Sequence, residues 1–199
     1  MRIAGLAFAR LRGPNNTYAL LLNKGRLKHN GERILSPIGG GLILYGSGQR
    51  LVLGLGAQFE GKATDMQFAV PDQNVPAVVN WFHTTAYREH SVLCETREEL
   101  GDETGILSDA QLRDMSERFS HFARHDDTTK RPVADKRTAY LIDVFDLRVT
   151  EDAMRRLVAA SERQVVNRWL YFVTRREIEN GVTARGNVTI GPICKKLFQ

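Results

Sequence analysis

The chain has 199 residues, with 42% hydrophobic and 8% aromatic residues, and 28 Lys and Arg against 23 Asp and Glu give a formal charge of +5. That length suits one sizeable domain, and the apolar content excludes wholesale disorder. No apolar run approaches the ~18 residues of a membrane-spanning helix. The positive surplus favours an anionic partner such as a nucleotide. Nucleic acid is the weaker alternative, because the sequence has no paired Cys/His sets, no helix-turn-helix signature and no aromatic RNA-binding motif. Cys94 and Cys194 are the only cysteines. Neither has metal-ligand or redox spacing, which points to reduced thiols in a cytoplasmic protein.

The chain opens with "IAGLAFARL" and "TYALLLN", two short apolar runs around the turn composition "RGPNN". They read as strands able to pair as a hairpin, and the start reads as a strand, not a signal peptide. In "ERILSPIGGGLILYG", Pro37 and Gly39, Gly40 and Gly41 interrupt two apolar stretches. That composition predicts a turn between strands, where glycine also lets backbone approach a ligand. After an apolar segment, "DMQFAV" reads as a strand and "NVPAVVNWF" as a helix.

A helix is predicted over 88–102. Val92, Leu93, Thr96 and Leu100 make its buried stripe. Glu95, Glu99, Asp102 and Glu103 follow the i, i+4, i+7, i+8 pattern of a second face. Glu98 adds a fifth carboxylate within nine positions. Like charges so placed repel. They are ordinary on a solvated face, and they also suit a hard cation such as Mg²⁺ or Mn²⁺, which takes oxygen ligands. Beyond Gly105, "LRDMSERFSHF" fits helix or strand. "RTAYLIDVFDL" reads as a strand and "TEDAMRRLVAASE" as a helix opened by Thr150. "VVNRWLYFV" reads as a strand, "TRREIENG" as a short helix, and "GPICKKLF" as a closing helix. Strands early and late with helices between predict an α/β fold with helices packed on a mixed sheet.

"EELGDETGI", Glu98 to Ile106, resembles the signature helix of the Nudix pyrophosphate hydrolases, with Glu99, Leu100, Glu103, Gly105 and Ile106 matching and Asp102 keeping an acid. "SPIGGGLIL" resembles the Pro-Gly-Gly turn ahead of that helix, and "VVNRWLYFVTRREIENG" the strand and short helix that follow. The chain departs from the pattern at three positions, and a long insertion at about 43–83 separates the glycines from the helix where the family has a short loop. Glu98 stands in place of the motif Arg, His90 in place of the early Glu, and Thr84 in place of the Gly before it. A second register, "CETREELGD", puts Glu95, Glu98 and Glu99 at motif acids. The first register keeps both apolar positions, and Glu99 belongs to both. The segment from "TDMQFAVPDQNVPAVVNWF" onward is similar to the SMODS-associated Nudix domains, bacterial proteins found beside cyclic-oligonucleotide synthetases in anti-phage operons.

The resemblance implies a single α/β/α Nudix-like sandwich around a mixed sheet over 1–199, with an insertion at about 43–83. It implies Mg²⁺ or Mn²⁺ held by Glu99, Asp102 and Glu103, with Glu99 and Asp102 as catalytic residues. Gly39, Gly40, Gly41 and Arg97 would bind substrate. Glu95, Asp126 and Asp127 are additional candidates, as are His121 and His125 from the later stretch "ARHDDTTKR". The ligand would be a nucleotide, with no membrane association, and a homodimer stays open. Two functions follow: hydrolysis of the pyrophosphate bond in a nucleoside diphosphate linked to another group, or nucleotide sensing without cleavage. Because Glu98 replaces the Arg, Arg97 or Arg88 is expected to hold a motif carboxylate. In the first register, Glu103→Gln weakens Mn²⁺ binding in calorimetry strongly and Glu95→Gln much less. The reverse order of effects establishes the second register.

Overall fold

The computed structural model describes residues 1–127, 137–162, 168–184 and 188–199. In chain order the elements are β1 (Arg2–Leu11), β2 (Thr17–Leu22), α1 (Lys24–Asn30), β3 (Ile34–Gly41), α2 (Gly46–Gly54), β4 (Gln58–Phe59), β5 (Gln67–Ala69), α3 (Val75–His83) and α4 (Leu93–Arg97). A π-helical turn, Glu98–Asp102, continues α4. Then follow α5 (Asp109–Arg113), β6 (Ser116–Asp127), β7 (Thr138–Arg148), α6 (Glu151–Ser161), β8 (Leu170–Thr174), α7 (Arg175–Asn180) and β9 (Thr189–Ile190). A 3₁₀ helix, Pro192–Leu197, comes last. The fold is mixed α/β, as the element order predicts, and β7 pairs with both β1 and β6.

The chain divides into two compact units. The first comprises Met1–Ala7, Gly40–Ser91 and Ser120–Val144. Here β5 pairs antiparallel with both β1 and β4, placing Ile3 opposite Phe68. The stretch read as an insertion forms α2, β4, β5 and α3, and Val52, Phe68, Val78 and Phe82 from it are fully buried. A buried ion pair anchors this unit. The Arg88 guanidinium lies 2.7 Å from Asp143, with side-chain exposures of 0% and 2%. It also donates to the Phe82 and Glu89 carbonyls and lies 3.7 Å from the centre of the Phe82 ring. His90 Nδ1 adds a third contact to Asp143, at 2.9 Å.

The second unit comprises Phe8–Gly39, Val92–Phe119 and Phe145–Gln199. Its strands run β8-β2-β3, with β9 joining β3 in parallel, so the pairing is mixed. The expected β1–β2 hairpin does not form as a ladder. Arg12 and Tyr18 make a single bridge, while β2 spends its pairing on β3 and β8. The predicted "SPIGGG" turn is instead strand: Pro37 sits opposite Leu20, and the glycines end β3. Both α6 and α7 pack on β8, and Thr150 and Thr174 cap them through their hydroxyls. Of the strand predicted from "VVNRWLYFV", 165–167 lies outside the described residues, and β8 begins at Leu170. The ambiguous "LRDMSERFSHF" divides between the end of α5 and the start of β6. The predicted closing helix is 3₁₀, and it buries Cys194, whose thiol burial pushes up to about 12. Cys94, on α4, is exposed.

The helix predicted from residue 88 begins only at Leu93, because Arg88 is committed to extended pairing with Leu44 and to Asp143. Removing one partner of a buried pair strands the other charge, at a cost of about 3–5 kcal/mol, whereas replacing both by apolar groups is far milder. Urea denaturation should therefore show a large loss for Arg88→Met and recovery of most of it when Asp143→Leu is added.

Candidate functional site

The site lies in the second unit, where the end of β3 meets the acidic helix. Val92, Thr96 and Leu100 are fully buried, as the stripe predicts. The Thr96 hydroxyl satisfies itself by donating to the Val92 carbonyl at 2.8 Å. After Arg97 the periodicity changes. The Glu103 N–H donates to the Glu98 carbonyl, five residues back, at 2.8 Å. An i→i+5 turn adds one residue to the helical repeat and swings the side chains after it by about 100°. The straight carboxylate face expected from α periodicity is therefore broken between Glu99 and Asp102. Gly101 allows this turn to sit against α5: a Cβ there would lie 2.5 Å from Leu112 Cδ1.

Glu99 is the half-buried member of the set. Its Oε2 accepts from the Gly39 N–H at 2.7 Å. Gly39 has φ +122°, in the range that favours glycine, so the sequence aims this N–H with a residue able to adopt it. Desolvation raises the Glu99 pKa to about 8. The Gly39 bond opposes that shift, while the negative charges of Glu95, Glu103 and Glu98 add to it. Such a raised, partly buried carboxyl marks functional sites more often than ordinary surface.

Glu103 is held by a cation the sequence did not single out. Lys24 Nζ lies 2.7 Å from Glu103 Oε2 and 3.2 Å from the Glu103 carbonyl oxygen. Lys24 opens α1, a helix with no apolar periodicity to betray it; Asn23 caps its start and left-handed Gly31 its end. Arg88 pairs with Asp143 instead, and Arg97 is exposed, with no ion pair to a carboxylate among the described residues. Lys24 thus does what was expected of Arg88 or Arg97. Asp102 is exposed, Glu95 half-buried, and Gly40 and Gly41 complete β3. Asp126 and Asp127 end β6, in the first unit, where Asp126 pairs with Arg124 at 2.8 Å. His121 and His125 lie on the same strand, and His125 stacks on Tyr140. Of the stretch "ARHDDTTKR", 128–131 lies outside the described residues.

The SMODS-associated NUDIX domain family matches residues 1–198. The chain belongs to that family. Neither the curated proteins nor the solved structures provide a match. Glu99, Asp102 and Glu103 lie on and just after the π turn that continues α4. Among the described residues, no group of three or more His, Cys, Asp or Glu side chains converges as a metal cage would. The donor chemistry of this acidic turn still suits a hard divalent cation, since every donor is a carboxylate oxygen. Desolvation, with the like charges of Glu95, Glu103 and Glu98 adding to it, disfavours the Glu99 carboxylate without a cation. Among the described residues, no helix is long and apolar enough to cross a membrane.

The sign of the pH effect follows from the shift. Between about 4.5, the ordinary value, and about 8, the folded protein keeps a proton on Glu99 that the unfolded chain has lost. Stability contributed here therefore falls as pH rises through that window, and the full penalty is present above it. Glu99→Gln keeps the acceptor for Gly39 and removes the charge. Without divalent cations it should raise the stability measured at pH 8 by at least about 1 kcal/mol. The difference should vanish below pH 4.5, and Mn²⁺ should stabilise only the unmodified protein.

Proposed function

We propose that this Nudix domain hydrolyses the pyrophosphate bond of a nucleoside diphosphate linked to another group. The observation that carries the reading is Glu99: a partly desolvated carboxyl, aimed by Gly39 and crowded by other acids, without a full counter-charge. Burying such a group is costly unless a cation accompanies it. Glu99, Asp102 and Glu103 would hold Mg²⁺ or Mn²⁺. That ion would supply charge neutralisation and polarise a phosphoryl oxygen. The chain's own part is distinct. The Gly39 N–H fixes the Glu99 carboxylate. Asp102, exposed at the end of the π turn, would serve as a ligand or as the base that takes a proton from an attacking water. Lys24 gives Glu103 a counter-charge until a cation replaces it.

The second reading is a nucleotide sensor, without cleavage, serving regulation in bacterial anti-phage signalling from the cytoplasm. Two features favour it: in the first register Glu98 stands where the resemblance expects the orienting Arg, and Lys24 lies 2.7 Å from Glu103. A panel of nucleoside diphosphate conjugates incubated with Mg²⁺ or Mn²⁺, read by phosphate release and mass spectrometry, separates the two. Turnover abolished by Glu99→Gln supports the hydrolase. Saturable binding with no phosphate-bearing product after prolonged incubation replaces it with the sensor.

A further inference from the structure

Within the second unit, the acidic turn meets a cation that also faces an aromatic ring. Lys24 is the hub. The same ammonium that contacts Glu103 lies 5.4 Å from the centre of the Trp169 ring. Trp169 is half-buried, and its carbonyl is fixed by the Leu22 N–H at 2.8 Å. Two positions along the chain, Tyr171 accepts a hydrogen bond on its hydroxyl from Arg33 Nη2 at 3.0 Å, and the Arg168 guanidinium lies 5.3 Å from its ring centre.

Packing alone does not account for this arrangement. Side-chain exposure is 39% for Lys24 and 40% for Glu103, so the ammonium is not there to fill a core. A partly exposed indole next to positive side chains is what nucleotide binders use, because rings stack on bases and cations meet phosphates. Lys24 bridges the two partners a nucleotide complex would claim: the carboxylate, for a cation, and the π face, for a base.

We propose that Trp169 and Lys24 form the nucleoside-recognition subsite of this domain. The base stacks on Trp169, and Lys24 exchanges Glu103 and the ring for a phosphate oxygen of the ligand. Arg33 and Arg168, held at Tyr171 two positions along the chain from Trp169, add positive charge to this stretch. This rests on the nucleotide reading above but not on cleavage, since hydrolase and sensor alike must hold the ligand.

The test uses two uncleavable probes with Mg²⁺, α,β-methylene-ADP and methylenediphosphonate, which differ by the nucleoside. Calorimetry should show that Trp169→Ala weakens the first about tenfold or more and the second less than about twofold. Trp169→Phe should restore most of the loss, and Lys24→Met should weaken both probes. The chain has two tryptophans. Protein labelled with 5-fluorotryptophan therefore gives two ¹⁹F resonances, assigned with Trp169→Phe, and the nucleotide probe should shift that of Trp169. This readout needs no destabilising variant. An unshifted Trp169 signal at saturation, or equal weakening of both probes by Trp169→Ala, overturns the subsite while leaving the function standing. Failure of the unmodified protein to bind either probe overturns the functional reading and the subsite together.

Discussion

Everything distinctive about the acidic helix depends on one hydrogen bond, from the Gly39 N–H to Glu99. It joins residues 60 positions apart and fixes a carboxylate where water is partly excluded and three other acids stand near. The backbone is shaped to deliver it from both sides. Gly39 adopts a conformation that side chains resist, and the helix widens into a π turn just where Glu99 must be presented. Single π turns inside helices recur at functional sites, since they trade regular backbone bonding for a particular side-chain direction. One bond to a backbone amide offsets only part of the desolvation and repulsion, which is why the carboxyl holds its proton so far above the ordinary range.

The helix therefore carries an electrostatic debt distributed unevenly. Glu103 has Lys24, whereas Glu99 has only an amide dipole. An incoming divalent cation would meet both conditions at once, relieving the second and competing with the first. A flexible ammonium is well suited to such competition. It is a compact point charge on a rotatable stem, unlike the planar, rigidly forked guanidinium of the arginine normally found in the motif. The positive partner of Glu103 thus comes from the start of α1 and not from the acidic helix itself.

Where the sequence was readable, local pattern and tertiary demand agreed. The apolar runs of β1, β2, β7 and β8 and the capped helices α6 and α7 lie where their residues place them. Two misreadings share one cause. "SPIGGG" has turn composition, yet pairing with β2 keeps it extended. Arg88 has helical surroundings, yet its buried partner Asp143, 55 positions away, holds it in extended pairing. Partners distant in sequence leave no local trace. At the site, Glu99 was legible because both motif registers contain it. Lys24 was not, since nothing in "KGRLKHN" connects it to Glu103. The π turn was equally hidden, because α periodicity is the assumption that makes a carboxylate stripe visible at all.

The two cysteines stand in opposite circumstances. Cys194 is buried on the inner side of the last 3₁₀ helix, and burial keeps its thiol protonated and shielded from alkylating reagents. Cys94 faces solvent on α4, one residue before Glu95 and one turn before Glu98. The natural chain thus offers a single reactive sulfur, already mounted on the acidic helix. A maleimide dye or spin label attached there reports on that helix without any engineered substitution elsewhere in the protein.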